Sequence, residues 1–144
     1  MASFEVYGFD DLEDALRKIT DIPDGVIFEA LDGMAEVAEA KIKSQGETMG
    51  VRDPESDVHI LDKLYSKKPK RTDFGGFKLI SFRGTRLRGK TRSRNAEIAF
   101  VNEYGKRGQP ARPFIGTALA QNEQAITDPA EKVIGDWIET EFVK

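Results

Sequence analysis

The sequence predicts an α+β fold in which a long N-terminal amphipathic helix packs on a small antiparallel sheet, with C-terminal helices following. Three observations predict it. Between Asp24 and Ser44 apolar residues recur at Val26/Ile27, Ala30/Leu31, Met34, Val37/Ala38 and Ile42, the spacing of one helical face. Two runs, Phe74–Phe82 and Ala96–Tyr104, are rich in β-branched and aromatic residues. The last third carries helix-start punctuation at Pro113 and again at Asp128-Pro129-Ala130-Glu131.

Taken in order, an apolar stretch Phe4–Tyr7 ends at Gly8, and Asp10 with Glu13 forms a capping-box pattern before Leu12, Leu16 and Ile19. Pro23 separates this helix from the long one, whose charged residues Glu29, Asp32, Glu36 and Glu39 fall mostly off the apolar face, with Gly46 as its expected stop. Residues 45–58 read as loop, and Ile60, Leu61, Leu64 and Tyr65 as a short helix or strand. In Ala96–Tyr104, apolar residues on both parities (Ala96, Ile98, Phe100 against Ala99, Val101) predict a strand covered on both sides. The connection Arg83–Asn95 is expected to be a mobile basic loop within a single domain, residues 1–144. Pro113 fits a first helical position leading into Phe114, Ile115, Ala118 and Leu119. A break is expected near Thr127, before a last helix with the stripe Val133/Ile134, Trp137/Ile138 and Phe142.

Length suits one core, and 39% hydrophobic with 33% charged residues suits a globular chain rather than a disordered one. The N-terminus has neither a basic n-region nor an apolar h-region, so no export signal is expected, and no apolar run is long enough to span a bilayer. With no cysteine, disulfides, thiolate metal sites and cysteine nucleophiles are excluded. The net charge of −3 conceals three blocks: 16 acids and 5 bases in residues 1–62, 12 bases and one acid (Asp73) in 63–94, and 8 acids and 5 bases in 95–144. Such a chain can meet copies of itself or a polyanion through its middle, or lay a basic hairpin across its own acidic helix.

Gly84-Thr85-Arg86-Leu87-Arg88-Gly89-Lys90-Thr91 matches the phosphate-loop pattern G-x-x-x-x-G-K-T. That chemistry needs a helix beginning at the Lys-Thr pair, whose amides and dipole hold phosphate. Arg92-Ser93-Arg94-Asn95 leads instead into another expected strand, and no later strand ends in a magnesium-holding Asp. The single histidine, His59, has no second histidine or cysteine with which to share a metal, and no serine sits in a nucleophile-elbow pattern. The expectation is a protein without catalysis, cofactor or metal. Nucleic-acid binding is the alternative reading. Residues 63–94 interleave cations with Phe74, Phe77 and Phe82, although a pI near 5.3 is low for a dedicated DNA binder. Arg83, Arg86, Arg88, Lys90, Arg92 and Arg94 are the candidate contacts for a partner or for DNA.

Asn95–Leu119 reads as a strand that stops, crosses a tight loop and starts a helix. Gly105 and Gly108 permit backbone conformations closed to other residues. Pro110 stiffens the approach, and Arg112 is held extended by Pro113 behind it. The corner residues Tyr104, Gly105, Pro110, Arg112, Pro113 and Phe114 are expected to fix where Phe114 and Ile115 enter the core.

The strings Ala96-Glu97-Ile98-Ala99-Phe100-Val101-Asn102-Glu103-Tyr104-Gly105 and Gln109-Pro110-Ala111-Arg112-Pro113-Phe114-Ile115-Gly116-Thr117-Ala118-Leu119 resemble the hallmark of the small tail-component (tail-completion, or neck) proteins of long-tailed phages and prophages. The resemblance implies a strand ending in an acidic-aromatic-glycine corner, then a Pro-Ala-Arg-Pro-Phe-like turn opening a C-terminal helix. It also implies a structural virion protein of the head–tail junction that assembles as a ring in the host cytoplasm and joins head to tail without catalysis. Its implied partners are copies of itself and other neck, connector or tail-terminator proteins, with passing DNA as a non-specific contact and no membrane.

Overall fold

A computed structural model describes residues 21–51, 59–73 and 75–142. The expected first helix and the apolar stretch before it lie outside these residues, as do residues 52–58 of the expected loop 45–58. The described elements are α1 (Asp24–Thr48), a 3-10 turn (Ile60–Lys63), β1 (Leu64–Ser66), β2 (Lys70–Thr72), β3 (Gly75–Phe77), β4 (Ile80–Phe82), β5 (Thr85–Arg88), β6 (Thr91–Arg94), α2 (Asn95–Tyr104), α3 (Phe114–Gln121) and α4 (Glu123–Phe142). The fold is α+β, with long α1 packed on small antiparallel sheets and helices at the C-terminal end.

The carbonyl of Pro23 accepts the first amides of α1, Val26 at 3.0 Å and Ile27 at 3.2 Å. The helix buries Ile27, Ala30, Ala35, Ala38, Ile42 and Gly46 on one side. Gly46 is not its stop. The helix runs through Gly46 to Thr48 and ends in a Schellman cap, with Gly50 at φ 71°, Val51 N–H donating to Gly46 O (2.9 Å) and Gly50 N–H to Glu47 O (3.2 Å). Buried Val51 supplies the apolar contact that accompanies such caps. Gly46 serves close approach instead, because a Cβ there would lie 2.6 Å from Leu61 Cδ2 and 3.2 Å from Phe114.

The strands form three two-stranded antiparallel sheets: β1 with β4, β2 with β3, β5 with β6. The expected single strand Phe74–Phe82 is therefore two. β3 turns back on β2 (Thr72↔Gly75, Lys70↔Phe77), whereas β4 pairs with β1 (Leu64↔Phe82, Ser66↔Ile80). Gly76 lets the β2–β3 hairpin lie against α1, where a Cβ would meet Ile27 Cγ2 at 2.8 Å. Arg71–Asp24 (3.4 Å) joins the same hairpin to α1, and Lys78, just after β3, reaches Asp32 of α1 at 2.6 Å. Part of the basic block is thus neutralised on the subunit's own acidic helix.

Arg83–Asn95 is not a loop without regular structure. It holds the β5–β6 hairpin, paired from Thr85↔Arg94 to Arg88↔Thr91 around Gly89-Lys90. Gly89 has φ 63° while Lys90 keeps a negative φ, the pattern of a two-residue type II′ turn matched to strand twist.

Ala96–Tyr104, expected as a strand, is helix α2. Asn95, Ala99 and Asn102 are buried on one side, and Phe100 and Tyr104, four residues apart, face solvent. Apolar residues on both parities signified a helix with an exposed aromatic stripe rather than a strand covered twice. The element entering the corner is accordingly a helix, not the strand that the resemblance implies.

Pro113 is the N-cap of α3, one residue before its first helical position. The last break falls at Asn122, not near Thr127, and α4 continues through Pro129. Proline in a helix interior forfeits one backbone hydrogen bond. Here its ring packs where α4 crosses α1 at Gly33, whose added Cβ would lie 2.9 Å from Pro129 Cβ. The main core joins Ile42, Val51, Ile60, Leu61, Phe82, Ala99, Phe114 and Ala118, with Phe82 and Phe114 edge to face at 6.2 Å.

Candidate interaction surfaces

The corner is built around Glu103. As α2 ends, its two carboxylate oxygens accept the backbone N–H groups of Ile115 (2.8 Å) and Gly116 (2.9 Å), the unpaired amides that open α3. Gly105 follows at φ 76°, and a Cβ there would meet the backbone N of Ala111 at 2.8 Å. Lys106 and Gln109 exchange backbone hydrogen bonds (3.0 and 2.9 Å) around a turn with Gly108 at φ 82°. Arg112 is held by its own N–H to Asn102 O (2.6 Å) and reaches with Nη1 to Gly50 O (2.6 Å), fastening the corner to the end of α1. Pro113, at φ −75° and ψ 65°, closes an inverse γ-turn in which Phe114 N–H donates to Arg112 O at 2.7 Å.

Of the corner residues expected from sequence, Gly105, Arg112, Pro113 and Phe114 act together. Phe114 is fully buried, and Ile115 packs against the same core. Tyr104 and Pro110 lie at the surface. Tyr104 is 68% exposed and packs with its ring tilted against Phe100, centroids 4.7 Å apart, Phe100 itself being 63% exposed. Glu103 was absent from the expected set of site residues. Its sequence signal is an acid just before a helix-ending glycine, with a second helix opening soon after.

The second surface is the basic hairpin. Arg83 precedes β5 and lies over the Tyr65 ring at 4.4 Å. Buried Asn95 ties both ends of the hairpin, its Nδ2–H donating to Arg83 O (2.9 Å) and its N–H to Gly84 O (3.0 Å). Arg86 on β5 is half-buried, as is its cross-strand partner Ser93. The opposite face carries Thr85, Leu87, Arg92 and Arg94, all exposed, with Leu87 directly across from Arg92. Arg88 pairs with Thr91 beside the tip, where Lys90 is exposed. Inside its own subunit the hairpin packs through β6 onto α2. The Lys90-Thr91 pair of the phosphate-loop pattern thus lies at a turn and a strand start, and the next helix begins only at Asn95. That backbone offers no helix N-terminus to a phosphate at Lys90.

The third feature is a groove of about 500 Å³ between the start of α1 and the second half of α4. Val26, Val133 and Trp137 form its apolar part, and Glu29, Lys132, Asp136 and Thr140 its polar part. Among the described residues, no three of His, Cys, Asp and Glu come together as a metal site, and no helix is long and apolar enough to cross a membrane. No protein family, curated protein or solved structure matches the chain.

Proposed function

We propose that this chain is a non-catalytic structural protein of the head–tail junction of a tailed phage, a tail-completion or neck component that assembles as a ring and joins head to tail. The observation that carries this reading is the Asn95–Leu119 corner, whose sequence resembles that of such proteins and whose unlike residues each hold one part of a helix–turn–helix joint. A joining ring needs a rigid subunit with two different surfaces, because a heterologous interface closes a cycle. The cationic hairpin and the acidic outer side of α4 are two such surfaces. Its partners in this reading are its own copies and neighbouring neck, connector or tail-terminator proteins, within a virion assembled in the host cytoplasm. Negative-stain images of the purified protein are expected to show rings, and loss of the gene to leave filled heads without tails. A protein that stays monomeric at every concentration, and whose loss leaves tailed virions intact, refutes the proposal.

One observation favours a second reading, a nucleic-acid-binding module using residues 63–94. The β5–β6 ribbon presents Lys90, Arg92 and Arg94 to solvent, and a two-stranded ribbon fits the DNA major groove. That reading predicts retention of DNA by the isolated monomer that weakens steeply with salt.

A further inference from the structure

We infer that the groove between α1 and α4 receives the β5–β6 hairpin of a second copy of this chain, with Leu87 on Val133 and Trp137 and with Arg92 and Arg94 on Asp136 and Glu29. This names the contact through which the proposed ring closes, and so rests on that reading. The two surfaces agree in several features. Leu87 is 66% exposed at the centre of a cationic strand pair, an apolar anchor flanked by charge. The groove has the converse composition, apolar Val26, Val133 and Trp137 lining it together with the carboxylate-bearing Glu29 of α1 and Asp136 of α4.

Charge separates the two elements throughout: residues 83–94 hold six bases and no acid, while α4 holds six acids against the single base Lys132, which also borders the groove. Exposed Asp128, Glu131, Asp136 and Glu139 share one side of α4 over about 16 Å, and the hairpin strands are about 13 Å long. Among the described residues, neither Arg92 and Arg94 nor Glu29 and Asp136 take part in an ion pair. The two surfaces differ, so the contact is head-to-tail and propagates around a cycle. An exposed leucine at the middle of the cationic face favours a protein groove over a phosphate backbone.

The absence of cysteine makes the geometry directly testable. The full-length double variant Leu87→Cys/Thr140→Cys, mildly oxidised, is expected to give a ladder of covalent oligomers on non-reducing gels. Each single variant, mixed with the other, should stop at dimers. Arg92→Glu/Arg94→Glu should weaken self-association by roughly tenfold or more, measured by sedimentation, and adding Glu29→Lys/Asp136→Lys to the same chain should restore it. Circular dichroism melts establish that each variant is folded, and the restoring variant keeps the test decisive if one reversal alone unfolds. Self-association that survives charge reversal, with no ladder, overturns this contact while leaving the ring reading intact. A wild-type chain that never self-associates overturns both. Reversal that abolishes DNA retention but not assembly assigns the hairpin to nucleic acid and overturns the inference, as does a groove filled by another segment of the same chain, which yields no ladder.

Discussion

The carboxylate of Glu103 holds the backbone N–H of Ile115 at 2.8 Å, so that the last turn of one helix caps the first turn of another. Its second oxygen takes the N–H of Gly116. Glu103→Ala leaves both amides unpaired and is expected to cost about 1–2 kcal/mol in chemical denaturation. Glu103→Gln keeps one acceptor and should cost less. Equal stability of all three proteins contradicts the clamp.

Gly105 combines a positive φ with backbone contact at Ala111. Gly105→Val is expected to destabilise by more than about 2 kcal/mol, because the strained dihedral and the steric conflict add. Gly108, with the same sign of φ but open space around it, should lose only about 1 kcal/mol on replacement by Ala. The ordering of the two midpoints in urea checks the distinction.

Phe114 and Tyr104 share one motif but not one role. Phe114→Ala empties a fully buried site and should cost about 3–5 kcal/mol. Tyr104→Ala removes a ring that is 68% exposed and should fall within about 1 kcal/mol of wild type. A melting temperature that drops as far for Tyr104→Ala as for Phe114→Ala would show that the aromatic stripe belongs to the core.

Gly46 and Leu61 are coupled by proximity. Gly46→Ala drives a methyl into Leu61 and is expected to cost about 1–3 kcal/mol, while Leu61→Ala alone costs about 2–5 kcal/mol. The double variant should cost less than the sum, since each change makes room for the other. Additive losses in a double-mutant cycle would show that the helix yields by moving away.

Much of the fold was legible because helical spacing in a long element leaves little ambiguity. The stripe from Ile27 to Ile42 became the buried face of α1. Short segments were less secure. Ala96–Tyr104 carries Ile, Phe, Val and Tyr, residues that favour strands, and only the packing of Ala99 and Asn102 inward selects a helix. Gly46 and Gly50 both carry a helix-stop signal, and the apolar residue after Gly50 distinguishes the Schellman cap. Asp128-Pro129 has the composition of a helix start, yet Gly33 on another element, nearly a hundred residues away, offers the proline ring a seat inside α4. At the corner, Gly105, Arg112 and Phe114 were readable from backbone rules. The groove was not, since it exists only where two helices meet.

Asn95 has a consequence for how the cationic arm is directed. Its amide and side chain close the base of the hairpin on Gly84 and Arg83, and it is also the first residue of α2. The bearing of the arm relative to the body is therefore set in part by one uncharged, buried residue. A change at this pivot would swing the whole row of cations off target while leaving every one of them in place.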